Sequence, residues 1–289
     1  MIIVTGATGK LGRAIVEKLL DRTAATELGV SVRDPSKAQE LGALGVRVRQ
    51  ADFGDPASLR HAFEGASQVL IVSSNARATG GQPEVQHRNA LETARDVGAR
   101  RVVYTSQISA SPESAFRPGV DHAQTEAMLA SSGMKFTALR NGFYASHALG
   151  VVAQMMKSGE SFAPADGKTS WTAHADLAEA AAAILMDEGR FDGPTPPLTG
   201  GDALDFSELA AIASELGGRK IEHVTMTDDE YRARLLARGA PPGAVEFAIG
   251  MFIASRRGEF SAVNPTLSQL IGHPPQTLRA LLAGPSGPG

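Results

Sequence analysis

Val4-Thr5-Gly6-Ala7-Thr8-Gly9-Lys10-Leu11-Gly12 is the stretch that decides the fold. Before it, residues 2–5 are apolar and β-branched and read as a strand. After it, Leu11, Ile15 and Leu19, with Ala14 beside them, mark one apolar face of a helix. A strand, a glycine turn and a helix start, in that order, bring backbone N–H groups up to an anion with no side chains in the way. Gly6, Ala7, Thr8, Gly9, Lys10, Leu11 and Gly12 are therefore the expected seat of a dinucleotide pyrophosphate. On its own the glycine pattern also describes a tight strand-to-helix turn; its place at the head of a strand–helix unit favours the nucleotide.

The same alternation repeats outward from this point. Short β-branched runs occur at 28–33, 46–50, 69–73, 102–105 and 136–139, with helical patterns between them, one opening at the cap-and-proline pair Asp34-Pro35 and others at 56–64, 83–97 and 120–131. Uniformly apolar strands separated by helices imply a parallel sheet covered on both faces with right-handed crossovers. The fold class expected is α/β, a doubly wound parallel sheet of the Rossmann type with a smaller C-terminal α/β substrate lobe. Beyond Arg140 the rhythm loosens into helices at 148–156 and 175–186 and short strands near Leu198 and at 220–225. The division expected is a dinucleotide-binding domain over 1–142, with 172–194 packing back on it, and a smaller lobe over 143–289. The glycine- and proline-rich tail 284–289 is expected to be mobile.

Composition narrows the classes. The apolar content of 43%, charged content of 20% and mean hydropathy of −0.09 describe an ordinary globular chain. No run approaches the length of a spanning helix, and Met1 leads straight into the first strand without a basic leader, so a cytoplasmic protein with no membrane partner is expected. A net charge of −3 gives no nucleic-acid surface. With no cysteine, thiolate metal sites and thiol nucleophiles are excluded, and the histidines show no metal-ligand spacing. Oligomeric state is not legible, and a homodimer is compatible with the sequence.

The end of the second strand chooses between nicotinamide cofactors. NAD sites place a carboxylate there for the ribose 2′-hydroxyl, whereas NADP sites need a cation for the 2′-phosphate. The residue here is Arg33, whose planar fork suits phosphate, and Lys37 one turn later adds a second charge. The expected cofactor is NADPH. The competing reading makes Arg33 a surface residue paired with Asp34 or Asp55.

Beyond the glycine turn, the runs VRDPSKA, ADFGDPASL at 51–59, HAQTEAMLASSG at 122–133 and LRNGFY at 139–144 resemble the NmrA-like group of atypical short-chain dehydrogenases. Within that group the chain is most similar to the NADPH-dependent quinone reductase and triphenylmethane-dye reductase branch, whose second lobe TGGDALDFSELAAIASELGG at 199–218 also resembles. The resemblance implies that residues 6–11 cradle the pyrophosphate and Arg33 holds the 2′-phosphate. It places Asp52 and Phe53 beside adenine, Ser73, Ser74 and Asn75 along the cofactor, and Asn141, Gly142 and Phe143 near the nicotinamide. The family carries tyrosine where Phe53 stands, so that hydroxyl is missing.

What is absent bears on mechanism. Most short-chain dehydrogenases protonate a substrate oxygen through Tyr-x-x-x-Lys. Here Tyr104, Tyr144 and Tyr231 are followed four residues on by Ile108, Ala148 and Leu235. The helix that would carry the pair offers His122 and Glu126 on one face instead. Hydride addition to a quinone yields a phenolate-type oxygen whose conjugate acid has a pKa of about 10, which water can protonate, whereas a simple ketone yields an alkoxide that needs a placed acid. The expected reaction is hydride transfer from NADPH to a quinone-like acceptor, with Asn141 orienting substrate or the nicotinamide amide.

His122 reads equally as a hydrogen-bond donor to substrate or as a helix residue bonded to a carboxylate, and Ser106 as a substrate-side hydroxyl or a strand-end cap. His174 reads as a helix-start partner of Asp176. Phe143, Tyr144, Trp171, Met251 and Phe252 are candidates for the substrate wall, each equally suited to core. Two other activities suit the same residues: an NADP(H)-binding redox sensor without turnover, and an azo or triarylmethane dye reductase.

Overall fold

The structure, a computed structural model, describes residues 1–284, so 285–289 of the tail expected to be mobile lie outside it. Chain order is β1 Ile2–Thr5, α1 Lys10–Leu20, β2 Leu28–Val32, α2 Gln39–Ala43, β3 Arg47–Gln50, α3 Pro56–Phe63, β4 Gln68–Ile71, α4 Pro83–Asp96, β5 Arg101–Gln107, α5 Arg117–Ser131 and β6 Lys135–Asn141. There follow β7 Phe143–Tyr144, α6 Ala145–Ser158, β8 Ser161–Pro164, β9 Trp171–Thr172, α7 His174–Met186, β10 Gly193–Pro194, α8 Phe206–Gly217, β11 His223–Met226, α9 Asp228–Ala237, α10 Pro242–Arg256, α11 Thr266–Ile271 and α12 Leu278–Ala283.

Seven strands form one sheet in the order β10-β6-β5-β4-β1-β2-β3, every pairing parallel. Strands β1, β2 and β4 are buried on both faces, which is why they read as near-continuous apolar runs, whereas edge strand β3 keeps Arg47, Arg49 and Gln50 at least part-exposed. Val4, Leu70, Val103 and Leu139 point to the layer of α1 and α7, while Ile3, Val69, Ile71, Val102 and Tyr104 point to the layer of α3, α4 and α5. The chain winds outward from β1 to β3, then returns to β4 on the other side of β1. Loops leaving β1 and β4 therefore part company at their carboxyl ends, and such a switch point opens a crevice.

The helix expected after Asp34-Pro35 is instead a single 3-10 turn, Pro35–Ala38, running into the five-residue α2. Asp34 caps it as read, its side chain accepting from the Ser36 amide at 3.1 Å. The strand expected near Leu198 is reduced to one bridge with Asn141, and the sheet is extended instead by β10.

The second lobe gathers α6, α8 and α12 around Trp171 and Ile221, and β11 pairs in parallel with β8. The α7 face Leu177 to Leu185 packs on the α1 side of the sheet, and Leu267, Leu270 and Ile271 of α11 join the same cluster. Among the described residues, no helix is long and apolar enough to cross a membrane.

Candidate functional site

The switch point is built from close backbone contacts. Gly6 sits at φ +62°, in the left-handed region that favours glycine, and its amide donates to the Ser31 carbonyl at 3.1 Å. A Cβ on Gly12 would lie 2.4 Å from the Gly6 oxygen, so α1 reaches the turn only because residue 12 has no side chain. Val72 donates its amide to Thr5 Oγ1 at 2.9 Å, tying the ends of β1 and β4 together. The α1 N-terminus has no side-chain cap, and among the described residues the amides of Lys10, Leu11 and Gly12 have no protein partner. These unfilled donors, with the positive end of the helix dipole behind them, suit a diphosphate.

At the end of β2, Arg33 is exposed and makes no ion pair among the described residues. Asp34, its expected competitor, is occupied by Ser36 and by Lys37, whose Nζ lies 3.9 Å from Asp34 Oδ2. The guanidinium is thus free for a phosphate, while Lys37 is shared with its neighbour. Asp52 accepts from the Gly54 amide at 2.7 Å, and half-buried Phe53 stands edge-on to His87.

The β4–α4 loop is pinned from beneath. The amides of Ser73 and Ser74 donate to Thr105 Oγ1 and His87 Nε2, both at 2.8 Å, and Ser74 Oγ donates to Gln86. Asn75 begins the 3-10 turn Ala76–Thr79. A backbone N–H can only donate, so His87 Nε2 must accept; its Nδ1 then carries the proton and donates to Thr125 Oγ1 at 2.9 Å. Burial pushes the His87 imidazole down to about 3, and the nearby His122 adds to that shift.

At the end of β6, Asn141 is 2% exposed and its Oδ1 has no hydrogen-bond partner among the described residues. A buried amide oxygen left open beside the crevice is an available acceptor for a ligand N–H. Gly142 follows where a Cβ would lie 2.2 Å from Thr172 Oγ1, and Phe143 packs among Phe116, Trp171 and Phe260.

The groups weighed for proton transfer are engaged elsewhere. His122 bonds no carboxylate: it is half-buried, and its Nδ1 lies 2.7 Å from the Tyr104 hydroxyl, a partner that no spacing in the sequence betrays. Burial pushes His122 down to about 4 in spite of Glu126 and Asp121. Ser106 donates to Glu126 Oε1 at 2.7 Å, and Glu126 is clasped by Arg140 at 3.1 and 2.7 Å. Burial pushes the Tyr104 hydroxyl far up, and that of Tyr144 up to about 12, where the Asn141 side chain beside it partly offsets the rise.

His174 does not pair with Asp176. Its ring lies on Tyr144 with centroids 4.3 Å apart, and Asp176 instead accepts from the amide and side chain of Gln276 at 2.7 and 3.1 Å. Burial, then Lys10, lowers the His174 pKa. The Tyr144–His174 pair thus joins the site beside Lys10 and Asn141. Phe252 is core, packed on Phe206 and Tyr231. Among the described residues, no three His, Asp or Glu side chains cluster to hold a metal.

Comparison with known proteins follows this geometry. Residues 6–188 match the NAD(P)H-binding family. The chain is 36% identical over 279 residues to quinone oxidoreductase 2 of Escherichia coli (strain K12), covering 96% of each. It superposes with a TM-score of 0.91, at 34% identity, on an NADPH-dependent quinone oxidoreductase from Escherichia coli complexed with NADPH, over 98% of this chain and 99% of that one. A Citrobacter sp. triphenylmethane reductase complexed with NADP(H) gives a TM-score of 0.87 at 32% identity, over 97% and 98%.

Proposed function

The chain belongs to the NAD(P)H-binding family, and from that premise we propose that it is an NADPH-dependent reductase passing hydride to a quinone-like conjugated acceptor. Residues Gly6 to Gly12 hold the pyrophosphate, Arg33 takes the 2′-phosphate with Lys37 behind it, and Asp52 and Phe53 flank the adenine. Ser73, Ser74 and Asn75 line the cofactor on the loop that His87 fixes. Asn141 Oδ1 accepts from the nicotinamide carboxamide, with Gly142 and Phe143 shaping that end. When bound, the reduced nicotinamide supplies the hydride.

The observation that carries the acceptor class is that none of the candidate acids weighed among the described residues carries a readily released proton at physiological pH. His122 is neutral at physiological pH, Ser106 donates to Glu126, and burial makes both tyrosines weaker acids than usual. An acceptor is needed whose reduced form requires no acid in the transition state. In a quinone the hydride's electron pair moves to a carbonyl oxygen, giving a hydroquinone anion that takes its proton from water. His122 and Ser106 then hold the floor of the site through Tyr104 and Glu126. The full-length likeness to a quinone oxidoreductase supports the same reading.

Steady oxidation of NADPH by the purified protein with a panel of quinones is the expected result, and bleaching of azo or triarylmethane dyes in parallel ranks acceptor classes. Tight NADPH binding without oxidation by any of them would identify a nucleotide sensor instead.

A further inference from the structure

At the carboxyl edge of the sheet two buried amide atoms, Gln107 Nε2 and Asn141 Oδ1, lack hydrogen-bond partners among the described residues. Gln107 ends β5, Asn141 ends β6, and the two are paired in register. Side chains alternate along a strand, so counting in twos from Val103 and Leu139 brings both to the face that carries α1 and α7. Ser106 and Arg140, one residue earlier, point the other way and meet on Glu126 of α5. A strand spacing of about 4.8 Å makes Gln107 and Asn141 neighbours, yet no hydrogen bond joins them. The Gln107 amide is oriented by its own loop. Its Oε1 accepts from the Ser109 amide at 2.9 Å and from Ser109 Oγ. A backbone N–H can only donate, so the atom held there is the oxygen and the outer atom is the NH2 group. Asn141 stands beside Tyr144, whose ring lies on His174, and His174 in turn feels the charge of Lys10 at the start of α1. The pair therefore lies on the side of the crevice where α1 presents its free amides. A desolvated donor and a desolvated acceptor are left side by side, and each costs free energy until a ligand supplies the matching group.

We propose that Gln107 and Asn141 form the seat of one primary carboxamide, that of the nicotinamide, with Gln107 Nε2 donating to its oxygen while Asn141 Oδ1 accepts from its NH2. A carboxamide answers both atoms at once. A quinone carbonyl has no N–H and would satisfy Gln107 alone, leaving Asn141 open. Turning the nicotinamide over about its glycosidic bond would carry the carboxamide away from both partners, so the seat also sets which ring face is open to the acceptor. This seat rests on the reading of the crevice as an NADP(H) site, to which it adds Gln107 as a cofactor-binding residue.

Calorimetry on the full chain with oxidised nucleotides tests it. The thionicotinamide analogue of NADP replaces the carboxamide oxygen with sulfur, a weaker acceptor, and the 3-acetylpyridine analogue replaces the NH2 with a methyl group. Wild type should bind NADP roughly 2- to 10-fold more tightly than either analogue. In Gln107→Met the thionicotinamide penalty should shrink to less than about 2-fold while the acetylpyridine penalty persists, and Asn141→Leu should do the reverse. Each penalty is a ratio within one protein, so any general weakening from the lost Ser109 bonds cancels, and a melting curve checks that the variants remain folded. Equal binding of NADP and the thionicotinamide analogue by wild type overturns the Gln107 contact without recourse to a variant. A thionicotinamide penalty that Gln107→Met leaves unchanged overturns it too; if that variant instead raises KM for naphthoquinone, the donor serves the acceptor. Failure of wild type to bind NADP at all removes the nucleotide reading along with the seat, whereas the other failures leave that reading standing.

Discussion

In the proposed site, Arg33 is the residue on which cofactor choice turns. It follows a buried strand, is itself exposed, and among the described residues has no ionic partner, Asp34 being engaged by Ser36 and Lys37. Charge-assisted hydrogen bonds contribute about 1.5–3 kcal/mol, or roughly 10- to 100-fold in affinity. Calorimetry on Arg33→Ala should therefore show NADPH binding weakened by that factor and NADH binding changed by less than about 2-fold; an equal loss for both would remove the 2′-phosphate from this position. Lys37→Ala should cost less than about 3-fold, since its ammonium is exposed and shared. The exposed place of Arg33 after β2 was legible because strand end and cap lie side by side in the chain. The Tyr104–His122 bond was not: an 18-residue separation between a strand and a helix face leaves no periodic trace. The open Oδ1 of Asn141 is likewise visible only once its surroundings are known to be filled.

At the scale of elements, the strand–turn–helix unit is held by the contact of Gly12 with the backbone of residue 6. The atoms a Cβ would strike are Gly6 O at 2.4 Å, Gly6 C at 2.8 Å and Ala7 Cα at 3.2 Å, all backbone, so no flexible side chain can move aside. Gly12→Ala should lower stability by roughly 1–3 kcal/mol and weaken NADPH together, because the same shift tilts the α1 amides away from the diphosphate. Leu267→Ala provides the contrast. Fully buried on α11 against the α7 layer, it should cost about 2–5 kcal/mol in a denaturant titration while the folded protein keeps its NADPH affinity far better than Gly12→Ala does. Were the two variants to lose binding alike, the turn would have no special part in it. The six sheet strands read from the sequence were legible since each is a short apolar run between turn signals. The docking of α11 was not, because six residues with no long periodic face give no hint of which layer they cover.

Across the whole molecule, buried His87 and half-buried His122 make the folded state sensitive to acid in a predictable sense. His87 and His122 stay neutral down to about 3 and about 4, whereas in the unfolded chain both titrate near 6.5. Folded pKa values depressed below the unfolded ones mean that the unfolded state binds more protons over that interval. Stability is therefore intact above pH about 6.5 and falls as pH drops toward 4, by up to about 1.4 kcal/mol per pH unit for each histidine. Exposed His273, raised by the Pro274 carbonyl and Glu179, works in the opposite sense, but solvent screens it. Protonating His87 also sets an N–H against the Ser74 amide, so the β4–α4 loop should loosen before the sheet does. Urea midpoints at pH 7 and pH 5 should fall steeply for wild type. His87→Gln should be less stable at pH 7, having lost a packed ring, yet lose less between the two pH values. A variant whose midpoint falls in parallel with wild type would show that His87 titrates normally in the folded protein, and the rigid neutral relay beneath the loop would have to be abandoned.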